Sequence, residues 1–527
     1  MGRWAQGLAA TAVVAGLCAS VPAGASASGC NGTSIIGEGS SAQAIAHLSP
    51  GGTVQGINGP IAGDQGWTKQ FVAGYTKADG THDSSFCRMS SAFLQTHQSL
   101  TYYPTGSGNG VNAWGAERPN GNGSYVPQFG FRSGTVPNPD PNPDPNKRYK
   151  NYNDRFIAYD DPPTISEQGN MNGGDPARGF NSGILHNIPV AQGAIANIVN
   201  FPDGCAWPAS YDHKADPASQ TTRFKVPNAT IEKAWAGTVT TWGQMFKNAM
   251  TPSSCNSIPL KLVVRQDNSG TTYNFKQWLE LVSHRTGGSG TDWGIDGAGW
   301  NSRGNNTNWP APVVRATAGG SGSLAQTVAD TEGSIGYVFL GDARAKGFDM
   351  TATTPGTQAD TTFWIPVYND ATPTPKLLDP QSNGSYGYKA GQAVNTHGSN
   401  CAKATYHGIP HTGLAGYTGP VVGDDPTTSD EWAMSTGIGQ TVAYEMCFMT
   451  WIGAWDDYSD VYGNSAAESS MERTVWDYAR MITTGGQAFL PLDDYAKLPT
   501  ALGSAYNDGT GPSVLTIAQN GVQNVHF

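Results

Sequence analysis

Long hydrophobic runs are what this 527-residue chain most clearly lacks. The first apolar stretch, Leu8 to Leu17, is rich in Ala and Gly. It falls well short of the ~20 apolar residues that a membrane-spanning helix requires, and no later stretch approaches that number, which excludes a bundle of membrane helices. Charge is also sparse, at 13% of residues, and positive charge is the minority, with 30 Lys and Arg against 41 Asp and Glu for a net −11. Binding along a nucleic-acid backbone relies on clustered Lys and Arg, so no nucleic-acid partner is expected. Walker, His-Glu-x-x-His and Gly-x-Ser-x-Gly sequences are all missing, and with them the local signatures of three large groups of enzymes. No internal repeat on the order of 20 to 50 residues is present, which argues against solenoids and propellers.

Cysteine is scarce too, at seven residues. Arg3, the apolar stretch and Ala25-Ser26-Ala27 together read as a secretory signal peptide over residues 1–27, so an exported mature chain is expected. Cys18 would leave with that peptide. Cys30, Cys87, Cys205, Cys255, Cys401 and Cys447 remain, an even set that in an exported chain implies three disulfides. Sequential pairing is the expectation, although six cysteines allow about 15 connectivities. Ala27-Ser28-Gly29-Cys30 loosely resembles a lipoprotein acylation site. Lipidation of Cys30 would leave an odd thiol, so a lipid anchor is the lesser expectation.

What is abundant is glycine, 68 residues, and proline, 34, within a composition 38% apolar. Long surface loops should therefore decorate an ordinary core, and a chain of this length points to two domains or more. The stretch PNPDPNPDPN, residues 137–146, should be extended and solvated, and it lacks the spacing and the Gly of an EF-hand. Elsewhere strand and helix patterns alternate. IPVAQGAIANIVNF (188–201) is a near-continuous apolar run, as in strands covered on both faces. ATIEKAWAGTVTTWGQMF (229–246) reads as a helix, a Gly-Thr turn and a second helix start. IPLKLVVR (258–265) and GSIGYVFL (333–340) read as strands, TTYNFKQWLELVSH (271–284) and RTVWDYARMI (473–482) as helices. This order predicts α/β domains with mainly parallel sheets.

In such folds ligands sit beyond the carboxyl ends of strands, where the next helix begins. VVRQDNSGTTYNF, residues 263–275, has that layout. Ser269, Gly270 and Thr271 offer backbone donors and hydroxyls at a helix N-terminus, which favours an anion, and Gly270 permits close approach. Arg265 adds a planar charged fork suited to a tetrahedral oxyanion, with Asp267 placed to fix its orientation. A capped helix beside a strand-end ion pair would give the same residues. GEGSSAQ (37–43) and YYPTGSGNG (102–110) are two further Gly-rich turns into helix starts, with Ser40, Ser41 and Ser107 as donors. RFIAYDDPPT (155–164) ends a strand in Asp160 and Asp161, a pattern that fits a solvated turn, a metal site or an acid/base pair.

Read in order, GEGSSA, YPTGSGNG, FIAYDDP, IPVAQGAIANIVN, TIEKAWAGTVTTW, LVVRQDNSGTTYNF, GSIGYVFL and GGQAFLPLDDYAKLP resemble the PstS-like phosphate-binding proteins of bacterial phosphate ABC transporters. The resemblance runs from about Ile35 to Leu498. It implies a two-lobed type II periplasmic-binding-protein fold of α/β class, with a ligand cleft between lobes joined by crossing strands. Lobe I is expected over 30–195 plus 436–527, with an insertion near 130–150. Lobe II is expected over 196–435, with an insertion near 356–435. It further implies phosphate ligands at Ser41, Ala42, Ser107, Asp160, Arg265, Ser269, Gly270 and Thr271, with Asp267 bracing the arginine. No cofactor, no catalysis and a permease partner are implied as well, and a monomer is the default expectation. This chain has Ser41-Ala42 where the family often has Thr-Phe; serine keeps the hydroxyl and the next residue contributes only its N–H.

Asp160 is then the discriminating residue. Hydrogen phosphate still carries a proton near neutral pH and sulfate does not, so a buried carboxylate that accepts this proton would face sulfate as an unpaired like charge. Two alternatives stand beside this reading. One is a released phosphate scavenger or surface protein with the same lobes and no transporter. The other is a metal-dependent phosphatase built on Asp160, Asp161, His407 and His411, against which Pro410 interrupts a helical pairing of the two histidines.

Overall fold

Two sets of three parallel strands, each arranged around its own first strand, are joined through one long antiparallel strand that they share. The computed structural model of the chain describes residues 35–47, 67, 100–116, 156–161, 163, 171, 185–214, 222–285, 307–316, 320–348, 361–369, 376–381, 398–404, 407–408, 435–436, 444–456, 458, 466–501, 513–523 and 525. The expected signal peptide, Cys30, Cys87, the 137–146 loop, His411 and most of the 356–435 insertion lie outside these residues.

In chain order the elements that matter are β1 (Ile35–Gly39), β2 (Leu100–Tyr103), α1 (Ser107–Ala113), β3 (Phe156–Tyr159), β4 (Leu185–Asn200), α2 (Asn228–Trp235), α3 (Trp242–Met245), β5 (Lys261–Val264), α4 (Gly270–Arg285), β6 (Val313–Arg315), α5 (Ser321–Ala329), β7 (Ser334–Phe339), α6 (Leu340–Ala345), β8 (Thr362–Ile365), β9 (Cys447–Trp455), α7 (Ala466–Ile482) and α8 (Val514–Gln523). The first set runs β2-β1-β3, all parallel, followed by β9 antiparallel to β3 and then β4. The second runs β6-β5-β7, again parallel, followed by β4 antiparallel to β7 and then β8. Both halves thus repeat one order: second, first, third, then an antiparallel strand.

β4 belongs to both halves. Leu185 to Ala194 pair with β9, and Ile195 to Asn200 pair with β7. At about 3.3 Å per residue a strand of this length reaches roughly 50 Å, enough to cross from one half to the other. Every residue of β4 is buried, as its continuous apolar sequence predicts. The expectation of mainly parallel sheets needs correction at this point, because β4 is antiparallel to all its partners. A strand with neighbours on both edges and layers on both faces is buried whatever its direction, so an apolar run alone does not report parallel pairing.

The helices follow local signals. α2 buries Ile231, Ala234 and Trp235 and gives way to a turn at Gly237, whose φ is +83°. α3 restarts on a capping box, with Gln244 N–H donating to Thr241 Oγ1 at 3.2 Å and Thr241 N–H donating to Gln244 Oε1 at 3.2 Å. Aromatic packing ties these helices to the sheet. The Phe275 ring of α4 stacks on Tyr337 of β7 with centroids 4.5 Å apart, and Trp235 meets Phe275 edge-on at 5.2 Å. In the first half Trp114 stacks on Trp455 at 3.5 Å. Two disulfides are formed, Cys205–Cys255 and Cys401–Cys447, as sequential pairing predicts. Each closes a loop, about 50 residues long, for which the chain-entropy account gives on the order of 4 kcal/mol.

Candidate anion-binding site between the two strand sets

The carboxyl ends of all six parallel strands face one another. β1 ends at Gly39, where φ is +134° and an added Cβ would lie 1.9 Å from the Ala158 carbonyl oxygen. Only glycine lets β1 and β3 approach this closely. The chain then turns: Ser40 N–H donates to that carbonyl at 2.7 Å, and Ser40 Oγ accepts from Ala42 N–H at 3.1 Å to cap the short 3-10 helix Ser41–Gln43. Ser107 opens α1 after β2, and Asp160 follows β3 directly. From the other half, Arg265 follows β5, residues 269–271 begin α4, Ser321 begins α5 after β6, and Asp342 lies in α6 after β7.

Arg265 is 1% exposed, the one charged side chain among the largest fully buried ones in the described residues. Its Nε donates to Asp267 Oδ1 at 2.7 Å and its Nη2 pairs with Asp267 Oδ2, a two-point clamp that fixes the guanidinium plane. The remaining nitrogen, Nη1, donates to Ser41 Oγ of the opposite half at 3.1 Å and to Ser321 Oγ of its own half at 3.0 Å. Burial by itself lowers the pKa of the guanidinium, and the Asp267 carboxylate more than compensates, so Arg265 holds its proton more firmly than usual.

Asp160 is 2% exposed and lies on the other side of the same junction. Ser40 Oγ stands 2.7 Å from both of its carboxylate oxygens, Thr450 Oγ1 donates to Oδ1 at 2.8 Å, and Ser107 Oγ lies 3.4 Å from Oδ2. Burial raises the Asp160 pKa to about 6; the Ser40 and Thr450 hydrogen bonds pull it down, the neighbouring Asp161 pushes it up and Arg265 lowers it. A buried hydrogen-bonded chain holds this carboxylate from behind. Thr450 Oγ1 accepts from Gln43 Nε2 at 2.5 Å, Gln43 Oε1 meets His47 Nε2 at 2.8 Å, and His47 Nδ1 meets the Tyr478 hydroxyl at 2.5 Å. Burial lowers the His47 pKa to about 3, so the imidazole is neutral and adds no charge.

The two halves touch at the start of α4. An added Cβ on Gly270 would lie 2.7 Å from Asp160 Cβ, Asp161 Oδ1 and Ser107 Oγ alike. Asn274 Nδ2 bridges the junction, donating to the Asp160 carbonyl at 2.7 Å and the Gly270 carbonyl at 2.8 Å. Gly108 N–H donates to the Asn268 carbonyl at 3.1 Å. Ser269 Oγ caps α4 by accepting from Thr272 N–H at 3.3 Å, and the Thr271 hydroxyl is buried without a hydrogen-bond partner. Tyr337 registers the helix on its strand, with its hydroxyl 2.7 Å from Thr272 Oγ1 and accepting from Arg265 N–H at 3.4 Å.

Ser41, Ala42, Ser107, Asp160, Arg265, Ser269, Gly270 and Thr271, from segments scattered along the sequence, are therefore brought to one buried junction with Asp267. The Ala42 N–H is engaged by Ser40 rather than free. Three neighbours escaped the sequence reading, Ser321, Asp342 and Thr450. Thr450 had a usable signal, because a lone hydroxyl inside the otherwise apolar CFMTWIGAW, every residue of which is buried, must find a partner there. Chemically, the arrangement offers a rigid fixed cation, hydroxyls, a helix N-terminus and, in Asp160, a carboxylate with a raised pKa, which suits a small oxyanion that also carries a proton. Among the described residues no group of three or more His, Cys, Asp or Glu is placed to hold a metal ion.

Residues 92–390, more than half of the chain, match the model of the PBP superfamily domain. No curated protein sequence matches. Among solved structures, a phosphate-binding protein from Stenotrophomonas maltophilia is similar at 13% identity, covering 93% of this chain and 93% of that one, with a TM-score of 0.46. The high affinity periplasmic phosphate-binding protein PfluDING, solved with phosphate, is 15% identical over 89% of this chain and 91% of that one, at a TM-score of 0.44. A putative phosphate ABC transporter substrate-binding protein from Clostridium perfringens, with bound phosphate, is 10% identical over 88% and 100%, at 0.36. With two parallel strand sets in the same order, a shared crossing strand and a domain match over most of that framework, the chain belongs to the PBP superfamily.

Proposed function

We propose that this chain is an extracytoplasmic binding protein for inorganic phosphate that hands its ligand to an ABC transporter permease. The observation that carries the reading is the meeting of Asp160 with the clamped Arg265 and the start of α4 across the junction of the two halves. Arg265 Nη1, the hydroxyls of Ser41, Ser107 and Thr271 and the N-terminal amides of α4 supply donors to phosphate oxygens. Asp160 accepts the proton that hydrogen phosphate retains. The phosphate-binding proteins similar in fold and the PBP superfamily match support this reading, and two disulfides among the described residues suit an exported protein. Lobe I comprises 30–195 with 436–527 and lobe II comprises 196–435; the change of partner along β4 between Ala194 and Ile195 supports that division. Ligand release then requires the halves to part by hinge motion in the crossing strands.

A crystal structure of the full chain grown with inorganic phosphate tests the assignment. The expected result is one anion with an oxygen in hydrogen-bond distance of Arg265 Nη1 and another in reach of Asp160. An anion bound elsewhere, or an Arg265–Asp160 junction unchanged under saturating phosphate, would overturn it.

A further inference from the structure

Thr450 lies within β9, every residue of which is buried, and takes no part in the ligand set above. It stands where the pairing of β9 with β4 is irregular: Thr450 pairs with Ala191 and Trp451 with Pro189, so the ladder passes over Val190. Proline has no N–H to give a ladder, and bulges re-aim side chains beside functional sites. The Val190 carbonyl left over is satisfied by Gln487 Nε2, which donates to it at 2.8 Å. At the bulge Thr450 Oγ1 comes within 2.8 Å of Asp160 Oδ1, 3.3 Å of the Tyr159 carbonyl and 2.5 Å of Gln43 Nε2. Gln43 Nε2 also lies 2.6 Å from the Trp451 carbonyl.

The direction of this chain of hydrogen bonds follows from counting donors and lone pairs. A backbone carbonyl can only accept, so the Gln43 atom facing Trp451 is the amide nitrogen, which also donates to Thr450 Oγ1. Gln43 Oε1 is left to accept from His47 Nε2–H. A neutral imidazole has one N–H, so His47 Nδ1 accepts from the Tyr478 hydroxyl. With one lone pair taken by Gln43, Thr450 gives its single hydrogen to the nearer and charged acceptor, the Asp160 carboxylate rather than the Tyr159 carbonyl. Resting on the phosphate reading, we propose that Thr450, oriented by Gln43 and His47, is a specificity-determining positioning residue: as an obligate donor it holds Asp160 ionised, ready to accept the proton of hydrogen phosphate and to repel sulfate. Asp160 also faces Asp161 beside it, Arg265 after β5, Asp342 on α6 and the phenols of Tyr102 on β2 and Tyr495. None of these supplies the hydrogen that Thr450 gives to Oδ1. A hydrogen bond to the ionised form lowers a carboxyl pKa. Discrimination is present above that pKa and is lost as pH falls through it, so removing the Thr450 hydroxyl moves the boundary to higher pH.

The test titrates sulfate, which has no ionisation of its own between about pH 5 and about pH 9, into the wild-type chain, Thr450→Val and Thr450→Ser, with inorganic phosphate as the reference ligand. Wild-type affinity for sulfate should climb as pH falls and level off once Asp160 is protonated. In Thr450→Val the levelling is expected about one pH unit higher, so that at the alkaline end sulfate binds about tenfold tighter than to the wild type. Thr450→Ser keeps the hydroxyl and should return the levelling point close to that of the wild type. A side chain that only filled space would give the opposite order, with the isosteric valine nearer to the wild type. Nitrogen-15 shifts of His47 test the direction of the chain without any substitution, even where Thr450→Val fails to fold. The Nε2–H tautomer is expected; the Nδ1–H tautomer would turn Gln43 round, draw the Thr450 hydrogen away from Asp160 and overturn the proposal. Identical sulfate profiles for the wild type and Thr450→Val would overturn it as well, while leaving phosphate binding intact. Absence of phosphate binding by the wild type at every pH would overturn both this proposal and the reading on which it rests.

Discussion

Replacing Arg265 by alanine is expected to weaken phosphate binding by two to three orders of magnitude. Removing one member of a buried, hydrogen-bonded ion pair costs about 3–5 kcal/mol, and each ~1.4 kcal/mol is a factor of ten in affinity. Arg265 is buried, clamped at two points by Asp267 and aimed by its third nitrogen at Ser41 and Ser321, so the loss falls on ligand and protein together. Asp267 would be left beside the junction without its cation. Arg265→Lys separates charge from geometry: an ammonium keeps the charge but cannot hold Asp267 in a fork while donating across to both serines. It should recover only a small part of the lost affinity. Calorimetric titration with phosphate, alongside circular dichroism to verify folding, measures both effects. Phosphate affinity within a few-fold of wild type in the alanine variant would place the anion away from Arg265.

Asp160→Asn should change selectivity more than any other single substitution. Sites built around a ligand hydroxyl reject analogues that lack it by factors on the order of 10⁴–10⁵. The amide removes the negative charge that repels sulfate and supplies an N–H that sulfate can use, so sulfate affinity should rise by several orders of magnitude while phosphate affinity falls. The wild type contains its own control, because burial raises the Asp160 pKa to about 6. Above that pH the ionised carboxylate accepts the phosphate proton and excludes sulfate. As pH falls through it, the carboxyl gains a proton, becomes a donor and loses its ground for discrimination. Sulfate binding to the wild type should therefore strengthen between about pH 8 and about pH 5, and the variant should show no such trend. Competition titrations at the two pH values read this directly; equal rejection of sulfate by both proteins at both pH values would remove Asp160 from the selectivity mechanism.

The parts of the site that sequence reasoning reached are those in which neighbours along the chain do the work. Arg265 and Asp267 sit two residues apart at a strand end, and Ser269 to Thr271 open the following helix, so clamp and helix terminus are adjacent in sequence as well as in space. Ser41, Ser107 and Asp160 needed the family resemblance, since a Gly-Ser turn by itself has no direction. Ser321, Asp342 and Thr450 were hidden for a different reason. Each acquires its role from a different element of its own half: Thr450 from β9 lying beside β3, Ser321 from Arg265 on the neighbouring strand, Asp342 from the charge of Arg265. Asp342 reads in LGDARAK as an ordinary first-turn acid, which a helix N-terminus favours with or without a ligand. The direction of β4 was hidden in the same way, because burial on both faces erases the alternation that would distinguish its setting.

Calorimetric titration of the folded wild-type chain with phosphate and with sulfate, near neutral pH and at physiological salt, tests the central claim most directly. The account predicts one phosphate site of micromolar or tighter affinity and sulfate binding weaker by about four orders of magnitude or more. Equal affinity for the two anions, or no heat with phosphate, would contradict it.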